Sequence, residues 1–558
     1  MQPQALPRRS GQAQAAGPGR KTLRLIIPAY PAFNIYSGIA KGTSALGPVS
    51  VATAVNDIPG WDAEVIDENN YRRGGPKDAD GRPDHAILQQ IRPADVVGLY
   101  GGLTSTIPRL YELAAFYKQM GVPTIAGGQH FAEETIEDAL NHAVDFIVIG
   151  EGEKIIGELL EHLDGGKDRT DIKGLAWLED GKVVQTPHAE PLTDFDALPI
   201  PDFSLVRYAR IRLYPVGRVR GCGMDCEFCT VKGRPRYASP ERLMQQFASL
   251  FEKRGARHFF IVDDLFGQDR EGTLRLCRLL HDYQRQVHTR FIITVQIRLD
   301  KAKDAELLRA MHDAGIRMVA IGFESPIGQE LEAMNKRLNP EDMIAMTRLY
   351  RRAGFYVHGM FIFGYPAQPG QPFRMSAEER VGHFRRFIKK SHLDTLQVLL
   401  PVPLPGTELT RRLREQGRIF STDHVGWEYY DGNFPLFEPD PPLTAEQMQA
   451  SIRQIMGRFY RRRQMFSVGF HILSFPLIIF WLLNIKAGWR RWARRWWKAV
   501  FGFGGSRIIR KWTGDLKKGD FPQKLAQAKK DLRPEPDLTQ PDDGPPAGGR
   551  DHTTESSP

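Results

Sequence analysis

Cys222, Cys226 and Cys229 stand in the run Val-Arg-Gly-Cys-Gly-Met-Asp-Cys-Glu-Phe-Cys-Thr, and they are three of the four cysteines in a chain of 558 residues. Thiolates are soft ligands, and a cubane iron–sulfur cluster takes one such ligand on each of its four irons. Three cysteines therefore hold three irons and leave the fourth open to bind a substrate or a cofactor. Zinc takes the same thiolates, but it needs a fourth ligand, and no His or Cys occurs in the 25 residues after Cys229. Three clustered cysteines in a long, cysteine-poor chain also read as reduced thiols of a cytosolic protein, not as a disulfide framework. Cys277 lies in the helical-looking stretch 273–280 and reads as a small buried side chain.

The elements around this loop form a βα series. Strands are expected at 211–220, 258–263, 291–296, 318–323, 356–363 and 395–400, with helical stretches such as 240–253, 304–314 and 341–353 between them. Six βα units over residues 206–440 are two short of a closed eight-unit barrel, and the cysteine loop follows the first strand. Barrel chemistry is assembled from polar residues at the carboxyl ends of strands. Those residues are Asp263 and Asp264 after the second strand, Gln296 and Arg298 after the third, and Glu324 and Ser325 after the fourth. A structural salt bridge is the competing reading for each of them.

A second α/β unit precedes this one, over residues 21–165. Apolar runs at 23–27, 63–67, 95–100, 123–127 and 146–149 alternate with amphipathic segments, which predicts a doubly wound, Rossmann-like parallel sheet covered on both faces. Ligands in such sheets bind at the carboxyl ends of the strands. The turns there are rich in small residues: Gly101 to Thr106, Gly127-Gly128-Gln129-His130 and Gly150-Glu151-Gly152-Glu153. None is a G-x-G-x-x-G placed after a first strand, so a dinucleotide site has little support, and glycines that serve only tight turns remain an alternative. Residues 166–205 read as a linker with a hairpin at Glu179-Asp180-Gly181-Lys182.

The C-x3-C-x2-C spacing, the aromatic before the last cysteine and the incomplete barrel resemble the radical S-adenosylmethionine (SAM) enzymes. With the small-residue turns of the first unit, residues 22–440 are similar to the cobalamin-binding members of that family. The resemblance implies a [4Fe-4S] cluster on Cys222, Cys226 and Cys229 whose open iron chelates SAM and cleaves it to a 5′-deoxyadenosyl radical. It further implies Gln296, Arg298, Glu324 and Ser325 near SAM, where the Arg298 fork suits a carboxylate. It places Thr104, Ser105, Gly127 and Gly128 near cobalamin. One departure concerns the first βα loop, Pro28 to Gly38, which lacks the histidine that ligates cobalt in many cobalamin domains. His130 is the nearest other imidazole in the turns, and a lone histidine there also reads as a polar turn residue.

The net charge of +10 is local. Residues 458–518 carry 15 Lys or Arg against one acid, Asp515, which leaves −4 for the rest of the chain. That pattern argues against a nucleic-acid-coating enzyme. Within it, residues 464–485 contain no charged side chain, and six of the nine tryptophans fall between 481 and 512. Residues 441–523 are expected to form a helical, membrane-associated region, with 464–500 as a kinked monotopic anchor on an anionic cytoplasmic membrane surface. A true span and a buried helical cap on the barrel are the alternatives. Residues 1–20 and 524–558 read as disordered. The expected activity is radical C-methylation of an apolar substrate such as an isoprenoid, hopanoid or acyl lipid, with an electron donor of the flavodoxin or ferredoxin type. Radical cyclisation or rearrangement of a tetrapyrrole is the second reading, and a non-catalytic membrane scaffold the third.

Overall fold

The computed structural model describes residues 19–72, 74–371, 373–460 and 486–532. The first unit contains strands β1 (Lys21–Ile27), β2 (Trp61–Asp67), β3 (Val96–Tyr100), β4 (Thr124–Gly127) and β5 (Phe146–Val148), parallel in the order 2-1-3-4-5. Successive residues of β1 enter opposite cores. Leu23, Leu25 and Ile27 pack beneath helices Leu46–Asn56 and Gly152–Leu163, whereas Ile26 packs with helices Ile107–Gln119 and Glu133–Asn141. Both faces are covered, as a near-continuous apolar strand requires.

The expected linker is part of this sheet. Strands β6 (Leu175–Glu179) and β7 (Lys182–Gln185) form the hairpin and extend the sheet antiparallel beyond β5, while β8 (Val206–Arg207) adds to the other edge beside β2. Leu175 and Trp177 join the apolar core, which explains why the segment does not hang free.

The second unit is an open sheet of six parallel strands: β9 (Tyr214–Val216), then β12 (His258–Phe266), β13 (Ile292–Ile297), β14 (Ile316–Glu324), β15 (Tyr356–Ile362) and β16 (Thr395–Leu399). Its outermost strands, β9 and β16, do not pair with each other. The first strand, expected over 211–220, is divided. After β9 the chain forms a short β10 (Val219–Arg220), which pairs with β11 (Arg236–Tyr237). The cause is Asp263, whose Oδ1 accepts from the Arg218 and Val219 amides at 2.6 and 3.0 Å and replaces the ladder bonds.

Helix Ala445–Phe459 runs along β16, from Met448 beside Gly364 to Tyr460 at Leu396, and helix Lys486–Leu516 packs against the amino-terminal end of the barrel. Arg494 pairs with the buried Asp394 at 2.9 Å and donates to the carbonyls of Arg351 and Phe355 at 3.0 and 2.6 Å, and Trp512 is buried. The described part of the region expected as an anchor docks one side onto protein through Arg494 and Lys498. Among the described residues no helix is long and apolar enough to cross a membrane, and the uncharged run 464–485 lies outside them. Order also continues past 524: helix Phe521–Lys530 buries Phe521 and Leu525 against Tyr429 and Phe434.

Candidate functional site

The loop after β10 carries three free thiols, with Cys226 buried and Cys222 and Cys229 half-buried. Gly221 holds a left-handed φ of +85°, and a Cβ there would meet the Arg234 carbonyl at 2.6 Å, so glycine is required. Its amide donates to Asp264 Oδ2 at 2.7 Å. The Cys229 amide turns back to the Cys226 carbonyl at 3.2 Å, and the Val231 amide donates to Cys229 Sγ at 3.4 Å.

Glu227, inside the same loop, anchors it. Its buried carboxylate accepts from Arg412 Nε and Nη2 at 2.6 and 3.0 Å and from the Tyr365 hydroxyl at 2.6 Å. Phe228, the aromatic before the last cysteine, packs edge-on against Tyr365. A third strap comes from residues 334 and 335: the Met334 carbonyl accepts from the Glu227 amide at 3.3 Å, and Asn335 Nδ2 donates to the Asp225 carbonyl at 3.2 Å. Burial raises the pKa of the Cys226 thiol, and the Lys336 ammonium opposes that shift. Among the described residues no three His, Cys, Asp or Glu side chains converge closely enough to hold a single metal ion. Thiolates on separate irons of one cluster need no such convergence.

The barrel residues expected near SAM divide into two groups. Gln296 is exposed on the strand face opposite the buried Val295 and Ile297, which turns it toward the lumen. Arg298 Nη1 lies 2.9 Å from Met224 Sδ in the cysteine loop and pairs with Asp300 at 3.0 Å. Glu324 pairs with Lys336 at 2.7 Å. These three gather at the mouth. Ser325 does not: it is fully buried and its hydroxyl donates to Glu330, itself paired with Arg380, because the chain turns inward after Glu324. Asp263 is likewise structural, and burial pushes it up to about 6.

A cavity of about 410 Å³ lies at the carboxyl ends of the first sheet. Gly98, Gly127 and Gly128 line one side, Val51 and Ile156 of the two covering helices another, and Arg220 of the barrel closes it. A Cβ on Gly128, at φ +131°, would meet the Gly101 carbonyl carbon at 2.5 Å, and one on Gly98 would strike Leu25. Gly127 and Gly128 face the cavity, whereas Thr104 and Ser105 are buried in a short 3-10 turn against the turn Trp427–Tyr429. His130 is enclosed with them, 3.4 Å from Thr104 Oγ1 and edge-on to Trp427, and burial lowers it to about 3. The loop 28–38 is packed too, with Phe33 stacked on Tyr429.

The two mouths face each other. Arg220 pairs with Glu151 at 3.0 Å and with Glu153, Arg236 pairs with Glu151 at 2.8 Å, and Thr230 of the cysteine loop meets Gln129 at 3.4 Å. Sequence reasoning missed Glu227, Arg412 and Lys336. It also missed Gly98, although an isolated glycine in an apolar strand is a signal of close approach.

Residues 217–379 match the family model described as the Radical SAM superfamily. The chain carries a radical SAM domain over these residues. The matched residues of this radical SAM protein hold the cysteine loop and most of the barrel, and the family brings a [4Fe-4S] cluster and SAM with it. An uncharacterized methyltransferase of Pyrococcus horikoshii is 26% identical over 390 residues, covering 67% of this chain and 80% of that protein. The anaerobic magnesium-protoporphyrin IX monomethyl ester cyclase of Cereibacter sphaeroides is 24% identical over 359 residues, 61% of this chain and 56% of the cyclase. Among solved structures, the radical S-adenosylmethionine methyltransferase TsrM of Kitasatospora setae, with cobalamin and a [4Fe-4S] cluster bound, has a TM-score of 0.62 at 18% identity. It covers 89% of this chain and 100% of that one. The radical SAM protein thus has the two-unit fold of a cobalamin-dependent enzyme.

Proposed function

We propose that this radical SAM protein is a cobalamin-dependent methyltransferase that acts on an apolar substrate. The observation that carries the reading is the apposition of a glycine-lined cavity with the cysteine loop, fixed by the Arg220 and Arg236 ion pairs. Cobalamin is the ligand this reading assigns to the cavity, which opens at the carboxyl ends of the strands and is lined by Gly127, Gly128 and apolar side chains, while glycine at 98 and 128 makes room for Leu25 and for the Gly101 backbone. No protein imidazole is offered to the cobalt from loop 28–38 or from the enclosed His130. When bound, the three cofactors supply an electron, a hydrogen-abstracting radical and a transferable methyl group.

The chain's own part is positional. Cys222, Cys226 and Cys229 hold the cluster; Gln296, Arg298 and Glu324 present polar groups to SAM at the mouth; the Glu227 anchor keeps the loop in place. An apolar, membrane-derived substrate is supported by the basic helix Lys486–Leu516, on which Trp497 and Phe503 are exposed. That helix supplies the contact with an anionic membrane surface on the cytoplasmic side. A one-electron donor of the flavodoxin or ferredoxin type completes the set of partners. The likeness to the cyclase favours a tetrapyrrole as the second reading.

The test is anaerobic reconstitution with iron, sulfide and cobalamin, then incubation with methyl-labelled SAM, reductant and total lipid or pigment extract of the source cells. The expected result is a protein-bound corrin spectrum, release of 5′-deoxyadenosine and label in a lipid. Label in a pigment instead would favour the second reading. A cluster-loaded protein that neither retains cobalamin nor cleaves SAM would overturn the proposal.

A further inference from the structure

The geometry points to Lys336 as the residue that sets the electron affinity of the cluster held by Cys222, Cys226 and Cys229; this rests on the radical SAM reading of that loop. Lys336 follows the strap that grips the loop, in which the Met334 carbonyl and the Asn335 amide group bind the backbone at 227 and 225. Its ammonium is largely buried and ends on Glu324 Oε1 at 2.7 Å. Burial lowers its pKa, and Glu324, Cys226 and Cys222 together raise it above the ordinary lysine value.

The local backbone is bent to put the pair there. Glu324 and Asn335 hold left-handed φ values of +59° and +60°, a conformation that disfavours residues other than glycine and persists where the surroundings impose it. The Glu324 carboxylate folds back over Gly322, and a Cβ at 322 would strike Glu324 Oε1 and lie 3.5 Å from Lys336 Nζ. The glycine thus keeps the ion pair over the mouth of the barrel. Lys232 also touches the loop, through the Cys226 carbonyl at 3.1 Å, but it is exposed, where water and salt screen its charge.

One-electron reduction by an external donor adds one negative charge to the cluster, and no bond is made or broken. A fixed cation beside the thiolates stabilises that added charge, and it does so more strongly in a buried site than in water. Glu324 opposes it. Lys336 and Glu324 therefore act in opposite senses on the same equilibrium, as a structural ion pair alone would not.

The experiment is a mediated redox titration, followed by electron paramagnetic resonance, of the cluster-loaded full chain without SAM. K336M is expected to lower the equilibrium constant for one-electron reduction at least tenfold, about 59 mV at n = 1. K336R should stay within threefold of the parent, and E324Q should raise the constant. An unshifted midpoint in K336M overturns the inference. Should K336M fail to load a cluster, E324Q decides it: an upward shift supports the inference and an unchanged midpoint overturns it. A parent chain that loads no cluster fails the radical SAM reading itself.

Discussion

The mouth of the barrel and the mouth of the first sheet meet across a few ångströms and are built by opposite means. The barrel mouth presents groups: three thiols, the Lys336–Glu324 pair, Arg298, and a buried carboxylate at Glu227 held by three donors. The sheet mouth withholds them, with Gly98, Gly127 and Gly128 lining a cavity about 410 Å³ in volume. A site that must hold a small inorganic group precisely needs rigid ligands and charge. A site that must admit a large flat ligand needs absence, and glycine supplies absence together with the backbone freedom to turn tightly.

The contrast breaks most readily at Glu227. Glu227→Ala leaves the Arg412 guanidinium buried without its partner, and truncating one member of such a pair typically costs about 3–5 kcal/mol. Thermal unfolding should fall sharply, and iron per chain after reconstitution should fall with it; retention of both would show that the loop does not depend on this anchor. The next effect is a pH slope. Asp263 is held up to about 6 in the fold against about 3.9 in an unfolded chain, so between those values the folded state keeps a proton that the unfolded state has lost. Stability therefore declines as pH rises from about 4 to 6, by about 3 kcal/mol for this group. Asp67, also near 6, adds the same trend in the sheet mouth. Melting temperatures of Asp263→Asn should show a flatter slope across that range, and an unaltered slope would remove Asp263 as its source.

In the other mouth, Gly127→Leu should weaken cobalamin retention at least tenfold, about 1.4 kcal/mol, while cluster absorbance stays at the parent level. A Cβ at 127 meets the Val148 carbonyl at only 3.4 Å, so the fold tolerates the change and the extra atoms enter the cavity. Equal loss of cluster and corrin would blur the division between the mouths. The smallest effect is expected at Thr230→Val, which deletes the long 3.4 Å contact to Gln129. A melting shift equivalent to less than about 1 kcal/mol is anticipated, and a larger one would mean that this bridge, rather than the Arg220 and Arg236 pairs, holds the mouths together.

What could be read from the sequence follows range along the chain. Strands β1 to β5 and the barrel strands were legible because apolar runs are local, and the cysteine loop because its ligands lie within eight residues. Glu227 was invisible because its partner Arg412 lies 185 residues away, and no local pattern marks a charge that the fold will bury. The same holds for Lys336, which earns its place only when β14 brings Glu324 alongside. The surroundings of Thr104 and Ser105 were hidden for a related reason: small hydroxyl residues after a strand suit a ligand turn, but here the Trp427 turn, contributed more than 300 residues later, covers them. The hairpin at 175–185 was found and its destination was not, since a turn signal specifies pairing within a hairpin and says nothing of the sheet it joins.

Arg494 carries one more implication. Its partners, Asp394 and the carbonyls of Arg351 and Phe355, lie where β15 and β16 begin, and Tyr460 bonds to Leu396 at the same end. The thiols sit where the strands finish, a strand's length of roughly 20 Å away. Tyr460 and Arg494, the anchoring residues of the two helices at this end, thus both rest on the floor of the barrel. A protein tethered to a bilayer by that floor would hold its reactive mouth out toward the aqueous side, so an apolar substrate would have to be lifted clear of the lipid and handed upward before it could react.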